Sequence, residues 1–396
     1  MSEAIIDAVV IGAGPAGSLA ARGLGQRGHE VWLIDKQSFP RPKVCGCCLN
    51  RYALTTLDRV GLDGLVQELG ARPLQRLEMI AAGRKAHVPL PRGVSLSRAA
   101  LDGALIDSAR AAGSVKFIDG TSAKVQSLGE TAEQGHRVLL GDGQTVRARV
   151  VIVADGLGGS SLSAVPGYEV KTAAGSRLGL GGVTSSPIAQ NDLADGTIAM
   201  ACGDDGYLGV VELEDGRLDF AAAIDAGAVK AAGGLEAATY RLVEQAGLDA
   251  EDWALHEVER WRATPALTRT RQRLAGPGLF VVGDAAGYVE PFTGEGMAWA
   301  IAGGAAVADV ASAAIREWDP AQDLAWNSQH QQRVRKRQAG CKWVAATLRR
   351  PRLTRAVVRT LAAFPVLARP LVGKITAPAS STPAAIHPPS AQGTFA

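Results

Sequence analysis

Three glycines near the amino terminus have the spacing of a nucleotide-binding turn. Gly12, Gly14 and Gly17 follow a β-branched run at residues 5–11, and a helical pattern begins directly after them. The first glycine of such a turn permits a tight bend, the second lets the backbone approach a pyrophosphate, and the third allows close helix–strand packing. Asp35 ends the next apolar run, where its carboxylate can accept hydrogen bonds from ribose hydroxyls. This pattern predicts a dinucleotide site, with an unoccupied structural turn as the alternative.

A second segment places an acid and a glycine-rich helix start after another apolar strand. Asp284 follows the strand, where a carboxylate can accept hydrogen bonds from sugar-like hydroxyls. Gly294 and Gly296 open a helix whose free N–H groups and positive end can stabilise negative charge on a bound ring. The alternative is an ordinary strand-to-helix turn in which Asp284 is a helix cap.

Residues 39–50 (FPRPKVCGCCLN) concentrate three thiols beside a lysine. No second pair of Cys or His residues stands at ligand spacing, so we predict no metal site. The six histidines likewise have neither metal spacing nor a Ser or Cys nucleophile as a partner, which leaves hydrolase chemistry without support. Both packing and catalytic roles for the thiols remain open.

The amino-terminal glycine turn and two later segments occur in the order found in a known family. Residues 150–161 (VVIVADGLGGSS) and 279–297 (LFVVGDAAGYVEPFTGEGM), with the amino-terminal turn, resemble the superfamily of FAD-dependent aromatic hydroxylases, flavin halogenases and geranylgeranyl reductases. The resemblance covers roughly residues 5–330 and implies FAD as cofactor. NAD(P)H would be a transient reductant, because the chain has one nucleotide fingerprint. The implied FAD-binding residues are Gly12, Gly14, Pro15, Ala16, Gly17, Asp35, Lys36, Arg98, Asp155, Gly156, Gly283, Asp284, Pro291, Gly294, Glu295, Gly296 and Met297.

The resemblance also implies roles for residues around the reacting ring. Arg98 matches an arginine that approaches FAD, although an exposed Arg98–Asp102 pair on a helix surface would have the same spacing. Lys43, Cys45 and Gly46 match a Lys-x-Cys-Gly segment that lines the flavin and substrate cavity of geranylgeranyl reductases. We assign these three residues to the catalytic region, and with them Gly294 and Gly296 at the flavin-facing helix start.

The substrate motifs of two branches of the superfamily are missing. GYLGVVELEDG stands at 206–216 where prenyl reductases have a Tyr-x-Trp-x-Phe-Pro-type motif, and the Trp-x-Trp-x-Ile-Pro motif of halogenases is absent. We therefore predict a monooxygenase that hydroxylates an aromatic or polyketide-like metabolite of secondary metabolism. The alternative is a reductase of an isoprenoid or lipid C=C bond. A flavin-binding protein without turnover is a third hypothesis.

Alternating strand and helix patterns predict an α/β fold with a Rossmann-type FAD-binding domain. We expect this domain to be discontinuous, with residues 1–75, 96–170 and 262–330. Short Gly-bounded runs predict an inserted antiparallel substrate-binding sheet at 76–95 and 171–261. A basic helical tail is predicted at 331–374, and the Pro-, Ser- and Ala-rich residues 375–396 are predicted to be disordered.

Charged residues are distributed unevenly along the chain. Residues 331–396 hold twelve Lys and Arg and no acid, whereas the preceding residues hold 30 bases and 39 acids. The tail is predicted either to pack on the acidic body or to contact an anionic membrane and a lipid-like or carrier-bound substrate. It lacks interleaved aromatics and a nucleic-acid-binding module, so we expect no nucleic-acid partner. Without a basic apolar leader or a run of about 18 apolar residues, the sequence predicts a cytoplasmic protein with reduced thiols.

Overall fold

The computed structural model describes residues 5–188, 193–290, 292 and 294–368. The strands are β1 Ile5–Ile11, β2 Val31–Ile34, β3 Cys48–Leu49, β4 Arg72–Ala81, β5 Arg84–Ser95, β6 Val115–Ile118, β7 Ala123–Ser127, β8 His136–Leu140, β9 Thr145–Val153, β10 Val170–Thr172, β11 Leu178–Val183, β12 Thr197–Cys202, β13 Gly206–Glu212, β14 Leu218–Ile224, β15 Arg262–Ala266, β16 Arg269–Arg271, β17 Ala275–Gly276, β18 Leu279–Val281 and β19 Gly287–Tyr288. The helices are α1 Pro15–Gly25, α2 Arg51–Arg59, α3 Leu65–Glu68, α4 Arg98–Arg110, α5 Ala226–Ala232, α6 Leu235–Gln245, α7 Glu295–Arg316, α8 Pro320–His330, α9 Lys336–Leu348 and α10 Pro351–Ala363.

The first sheet has the order β17-β18-β9-β1-β2-β6, and the β7–β8 hairpin extends from β9. β1 lies between β2 and β9 and is parallel to both. Its β-branched residues are buried on both faces, as expected for a parallel strand covered by helices. α1 and α7 pack against each other beside this sheet. The predicted α/β fold with a Rossmann-type nucleotide-binding unit is confirmed.

The second sheet has the order β15-β11-β14-β13-β12-β4-β5-β3 and is antiparallel except between β12 and β4. Alternating side chains give it two apolar faces. Leu208 and Phe220 lie on the face covered by α6, whereas Met200 and Tyr207 belong to the opposite apolar cluster. This second face forms one wall of the cavity that contains the candidate site.

Three predicted domain boundaries do not coincide with the sheets. The boundary at 170/171 falls inside β10, whose partner β16 belongs to the segment that we assigned to the FAD-binding unit. The boundary at 75/76 falls inside β4, which belongs entirely to the second sheet. β15, which we assigned to the FAD-binding unit, pairs with β11 and therefore also belongs to the second sheet. β15 is short and contains Pro265, so its sequence does not show the polar–apolar alternation that would reveal which sheet it joins.

Among the described residues, α7 has the length and mean hydropathy of a membrane-spanning helix, but it contains no uninterrupted run of about 18 apolar residues, as the sequence predicted. Its 22 residues include Asp309, which interrupts the apolar run. The most apolar window is 83% buried inside the molecule, which is the position of a core helix. Gly304 allows this burial, because a Cβ there would lie 2.2 Å from the carbonyl oxygen of Ala16 in α1.

The basic tail forms helices up to Ala363, followed by a 3-10 turn at Pro365–Ala368. α10 packs on β5 and β4, with Thr354 and Val358 buried. The remainder of the predicted tail, residues 369–374, and the segment 375–396 predicted to be disordered lie outside the described residues.

Candidate active site

The glycine turn between β1 and α1 leaves no space for side chains. Gly12 has φ +105°, and a Cβ there would lie 2.3 Å from the carbonyl oxygen of Ala154. A Cβ at Gly17 would lie 1.8 Å from the carbonyl oxygen of Gly12. Gly14 is the N-cap of α1, and no side chain caps the helix start. The N–H groups and positive end of α1 therefore face the turn, where an anion is stabilised.

Asp35 connects the ends of β1 and β2. Its carboxylate accepts the N–H of Ala13 at 2.8 Å and the N–H of Gln37 at 2.9 Å. Each carboxylate oxygen has a second lone pair, so ribose hydroxyls can still bind. The neighbouring Lys36 is exposed.

The Asp155-Gly156 segment closes the other side of the glycine turn. One Asp155 oxygen accepts the N–H of Ser161 at 2.9 Å, and the other is buried without a hydrogen-bond partner in the described part of the chain. Gly156 has φ +75°, and a Cβ there would lie 3.4 Å from Lys43 Nζ. The Lys43 segment and the Asp-Gly segment therefore meet, although about 110 residues separate them.

A cavity of about 1130 Å³, counted out to its open mouth, lies between the nucleotide-binding unit and the second sheet. The first wall is polar and glycine-rich, with Pro15, Lys43, Cys45, Gly46, Arg98, Asp284, Gly294, Gly296 and Met297. The second wall is mainly apolar, with Leu180, Ile198, Met200, Tyr207, Val211, Ala221, Ala223, Leu267 and Phe292. All five residues that we assigned to the catalytic region thus line one cavity.

Arg98 enters this cavity from the first turn of α4. Its guanidinium donates to both carboxylate oxygens of Asp102, at 2.9 and 2.7 Å. Arg98 is 5% exposed and Asp102 is fully buried, so the alternative of an exposed surface pair is wrong. The pair is a buried, two-point ion pair that fixes the position of the guanidinium.

Cys45 and Cys47 form a hydrogen-bonded thiol pair near Arg98. The hydrogen bond from Cys47 and the charge of Arg98 lower the pKa of Cys45 to about 6. The same hydrogen bond and burial raise the pKa of Cys47. Burial also lowers the pKa of Lys43. All five cysteines of the chain are free thiols.

Asp219 is the single acid on the second wall. It lies on β14, is 4% exposed, and its Oδ2 atom has no hydrogen-bond partner within the described residues. Burial and the nearby Cys45 raise its pKa well above the ordinary value, although a hydrogen bond with Cys47 and the charges of Arg217 and Arg98 oppose this shift. Burial thus favours the protonated form of this side chain. Sequence reasoning missed Asp219, whose signal is an acid inside the apolar run RLDFAAAI.

The second glycine-rich segment lies beside the first wall. Gly283 and Asp284 begin a 3-10 turn after β18, and a Cβ on Gly283 would lie 3.0 Å from Ala16 Cβ in α1. Gly294 is the N-cap of α7 with φ +74° and has no side-chain cap. Glu295 and Met297 follow in the first turn and are buried. Pro291, which we assigned to the cofactor site, lies outside the described residues.

A buried ion network joins this segment to the tail. Glu290 is 1% exposed and accepts from Arg177 at 3.2 Å and from Arg349 at 2.9 Å. Arg177 also donates to the carbonyl oxygen of Leu348 at the end of α9. The three charges come from distant parts of the sequence, so neither spacing nor composition could have revealed the network.

These features fit FAD. Backbone contacts exclude side chains at Gly12 and Gly17, as the tight bend and the close helix packing require, while at Gly14, where a pyrophosphate would approach, the nearest atom to a Cβ would be an Arg98 nitrogen at 3.7 Å. The uncapped starts of α1 and α7 supply N–H groups for the pyrophosphate and for an anionic ring. Asp35 and Asp284 supply acceptors for sugar and polyol hydroxyls.

Comparison with known proteins agrees with this fit. Residues 6–339 match the FAD binding domain family. A menaquinone reductase of Mycolicibacterium smegmatis is 30% identical over 323 residues, or 77% of this chain and 76% of the relative. A digeranylgeranylglycerophospholipid reductase of Methanopyrus kandleri is 26% identical over 336 residues, or 79% of this chain and 78% of the relative.

Solved structures show the same fold at lower identity. A probable FAD-dependent monooxygenase of Pseudomonas aeruginosa, PqsL, has a TM-score of 0.72 and 20% identity, and the match covers 90% of this chain and all of the other. A flavin-dependent brominase has a TM-score of 0.75 and 16% identity, with 93% and 99% covered. The family match over most of the chain decides the assignment: this chain belongs to the FAD binding domain family and is an FAD-dependent oxidoreductase.

Proposed function

We propose that this enzyme reduces a carbon–carbon double bond in the isoprenoid chain of a lipid. The observation that carries the proposal is the difference between the two cavity walls, because an apolar wall with one buried acid faces the polar wall of the predicted flavin site. An isoprenoid chain needs apolar contacts along its length and a proton donor beside the reacting bond. The reductase names of the relatives support the same choice.

Reduction of an alkene requires a hydride and a proton. Reduced FAD supplies the hydride equivalent when it is bound, and we propose NAD(P)H as the external reductant. Asp219 gives its proton to one alkene carbon while the hydride is added to the other, so that two C–H bonds replace the π bond. The carboxylate that remains must then recover a proton, which comes ultimately from water.

The thiol pair extends from Asp219 toward the polar wall. Cys47 hydrogen-bonds with both Asp219 and Cys45, and Cys45 is close to Arg98. We propose that this chain of groups returns a proton to Asp219 after each turnover. Arg98, which Asp102 holds in place, keeps positive charge at the flavin-facing end. Catalytic tasks are thereby divided between the two walls.

A monooxygenase is the second candidate. It was the first choice from the sequence, and the strand β13, where the prenyl reductase motif is missing, favours it. β13 presents Tyr207, Gly209 and Val211 to the cavity. The likeness to PqsL supports the fold of such an enzyme, but the apolar wall and the reductase relatives make alkene reduction our first proposal.

The test is anaerobic reoxidation. The holoenzyme is reduced with NADPH without oxygen and then mixed with a geranylgeranyl lipid, which has alkenes but no quinone ring. We expect the oxidised flavin band near roughly 450 nm to return, because the alkene accepts the hydride. A band that stays bleached until air is admitted would refute alkene reduction and support the monooxygenase. A fully saturated phytanyl lipid is the control that accepts no hydride.

A further inference from the structure

We infer that the outer face of α9, α10 and the Pro365–Ala368 turn docks on an anionic lipid bilayer. This inference rests on the proposed function, since the bilayer would hold the isoprenoid substrate. We call this surface the tail face and define it by the exposed residues Lys342, Trp343, Arg350, Arg352, Leu353, Arg359, Phe364, Val366 and Leu367. The sequence left open whether the tail packs on the body or contacts a membrane, and the structure bears on both alternatives.

The inner side of the tail packs on the body. Thr354 and Val358 of α10 are buried on β4 and β5, and Leu348 of α9 joins the same apolar cluster. Arg349 pairs with the buried Glu290, and Arg355 pairs with Asp204. The helices are therefore held firmly, and their other side remains on the surface.

That other side exposes large apolar groups. Trp343 is 80% exposed, Phe364 63%, Val366 62% and Leu367 60%. Of the eight large apolar side chains that are exposed in the described residues, five lie between 343 and 367. Tryptophan and phenylalanine at such exposure are costly in water and favourable at the interface of a bilayer.

The positive charge of the tail face favours binding to an anionic surface. Lys342, Arg350, Arg352 and Arg359 are exposed around the apolar groups. The tail from residue 331 has no acid, while the rest of the chain has nine more acids than bases. An anionic bilayer would attract the tail and repel the body, which fixes one orientation of the protein.

The tail face also lies close to the cavity. Leu348, Val358 and Ala368 share one apolar cluster with Met200 and with Tyr207 and Phe292, all three of which line the cavity. Glu290, immediately before the glycine-rich segment, binds Arg349 at the end of α9. A lipid that leaves the bilayer beside these helices would stay in contact with apolar side chains on its way to the cavity.

The test is flotation of the full-length holoenzyme with vesicles. We expect binding to phosphatidylcholine vesicles that contain phosphatidylglycerol, little binding to pure phosphatidylcholine, and weaker binding as salt increases. Arg352→Ala with Arg359→Ala should lower the partition coefficient about 25-fold, at about fivefold for each base. Trp343→Ala and Phe364→Asp should lower it further. Lys124→Ala with Arg137→Ala, on the exposed side of β7 and β8, is the charge-matched control and should bind normally.

Three results would overturn the inference. Two of them are vesicle results: equal partition of all variants, or no binding to vesicles that contain phosphatidylglycerol. The third is a dimer in sedimentation that Phe364→Asp converts to a monomer, because the tail face would then bind a second copy of the chain. Flavin content serves as the check that each variant folds. Vesicle binding needs no turnover, so its failure is distinguishable from the failure of the proposed reduction, which can be measured with lipid dispersed in detergent.

Discussion

The two walls of the cavity differ in amino-acid composition. The wall of the nucleotide-binding unit consists of glycine turns, helix starts and paired charges such as Arg98–Asp102. The wall of the second sheet consists of small and medium apolar side chains, with Asp219 as its acid. The first wall suits a polar cofactor that stays bound, and the second suits a flexible apolar substrate. Function is divided accordingly, so each wall can be tested by variants that leave the other intact.

The strongest test of the cofactor wall is Gly12→Ala. We expect loss of bound flavin, because the new Cβ would lie 2.3 Å from the carbonyl oxygen of Ala154 and φ is +105°. The measurement is the ratio of flavin to protein after purification. Gly103→Ala in α4 is the matched control, since its Cβ meets no atom within 4 Å and should leave flavin content unchanged. Full flavin content in Gly12→Ala would contradict the assigned turn.

The corresponding test of the substrate wall is Asp219→Asn. We expect the rate of alkene reduction to fall by about 10² to 10⁴, because the proton donor is lost. Flavin content and the rate of flavin reduction by NADPH should remain unchanged. Asp215→Asn, in the exposed turn before β14, is the control. An unaffected rate of product formation in Asp219→Asn would remove this acid from the mechanism.

Asp284→Ala should have a smaller effect on the cofactor wall. The loss of one acceptor for the polyol chain of FAD costs about 1–3 kcal/mol, so FAD affinity should fall by about one to two orders of magnitude. Titration of the apoprotein with FAD measures this change. Asp142→Ala, in the exposed turn between β8 and β9, should bind FAD normally. Equal affinity of Asp284→Ala and the parent would refute the predicted contact.

The smallest expected effect is on the pH dependence of folding stability and does not involve the cavity. Burial lowers the pKa of both His136 and His330 to about 4. An imidazole with a lowered folded-state pKa binds its proton mainly in the unfolded state, so stability falls as pH decreases from about 6.5 toward 4. We expect each histidine to contribute up to about 1.4 kcal/mol per pH unit in this window.

Thermal unfolding at pH 7 and pH 5 measures the histidine effect. His136→Gln or His330→Gln should reduce the difference between the two midpoints, even if the midpoint at pH 7 falls. His87→Gln, which alters an exposed imidazole, should preserve the difference. The same acid sensitivity in all three variants would show that other groups control it.

The two walls also differed in how well the sequence revealed them. Gly12 and Gly17 could be recognised because a close backbone contact at each position allows only glycine. Asp219 could not be assigned a role, since its unusual pKa depends on burial by strands that are distant in sequence. The Arg177–Glu290–Arg349 network was hidden for the same reason. Spacing therefore predicts sites made by one local turn better than sites made by tertiary packing.

The boundary errors have a related cause. β15 was assigned to the nucleotide-binding unit because it precedes the strand β18 of that unit in the sequence. Its pairing with β11 depends on tertiary contacts, and its five residues RATPA do not show the alternation of polar and apolar residues that would reveal this pairing. The parallel strands β1 and β9, by contrast, end in the β-branched runs Val9–Ile11 and Val150–Val153 and could be placed in one buried sheet.

The most direct test of alkene reduction is the mass of the lipid product. The holoenzyme, NADPH and a geranylgeranyl lipid are incubated once without oxygen and once in air, and the lipid is analysed by mass spectrometry. Our account predicts a product heavier by two hydrogen atoms in both samples, with Asp219→Asn giving far less of it. No product without oxygen, together with a product heavier by one oxygen atom in air, would contradict the account and establish hydroxylation instead.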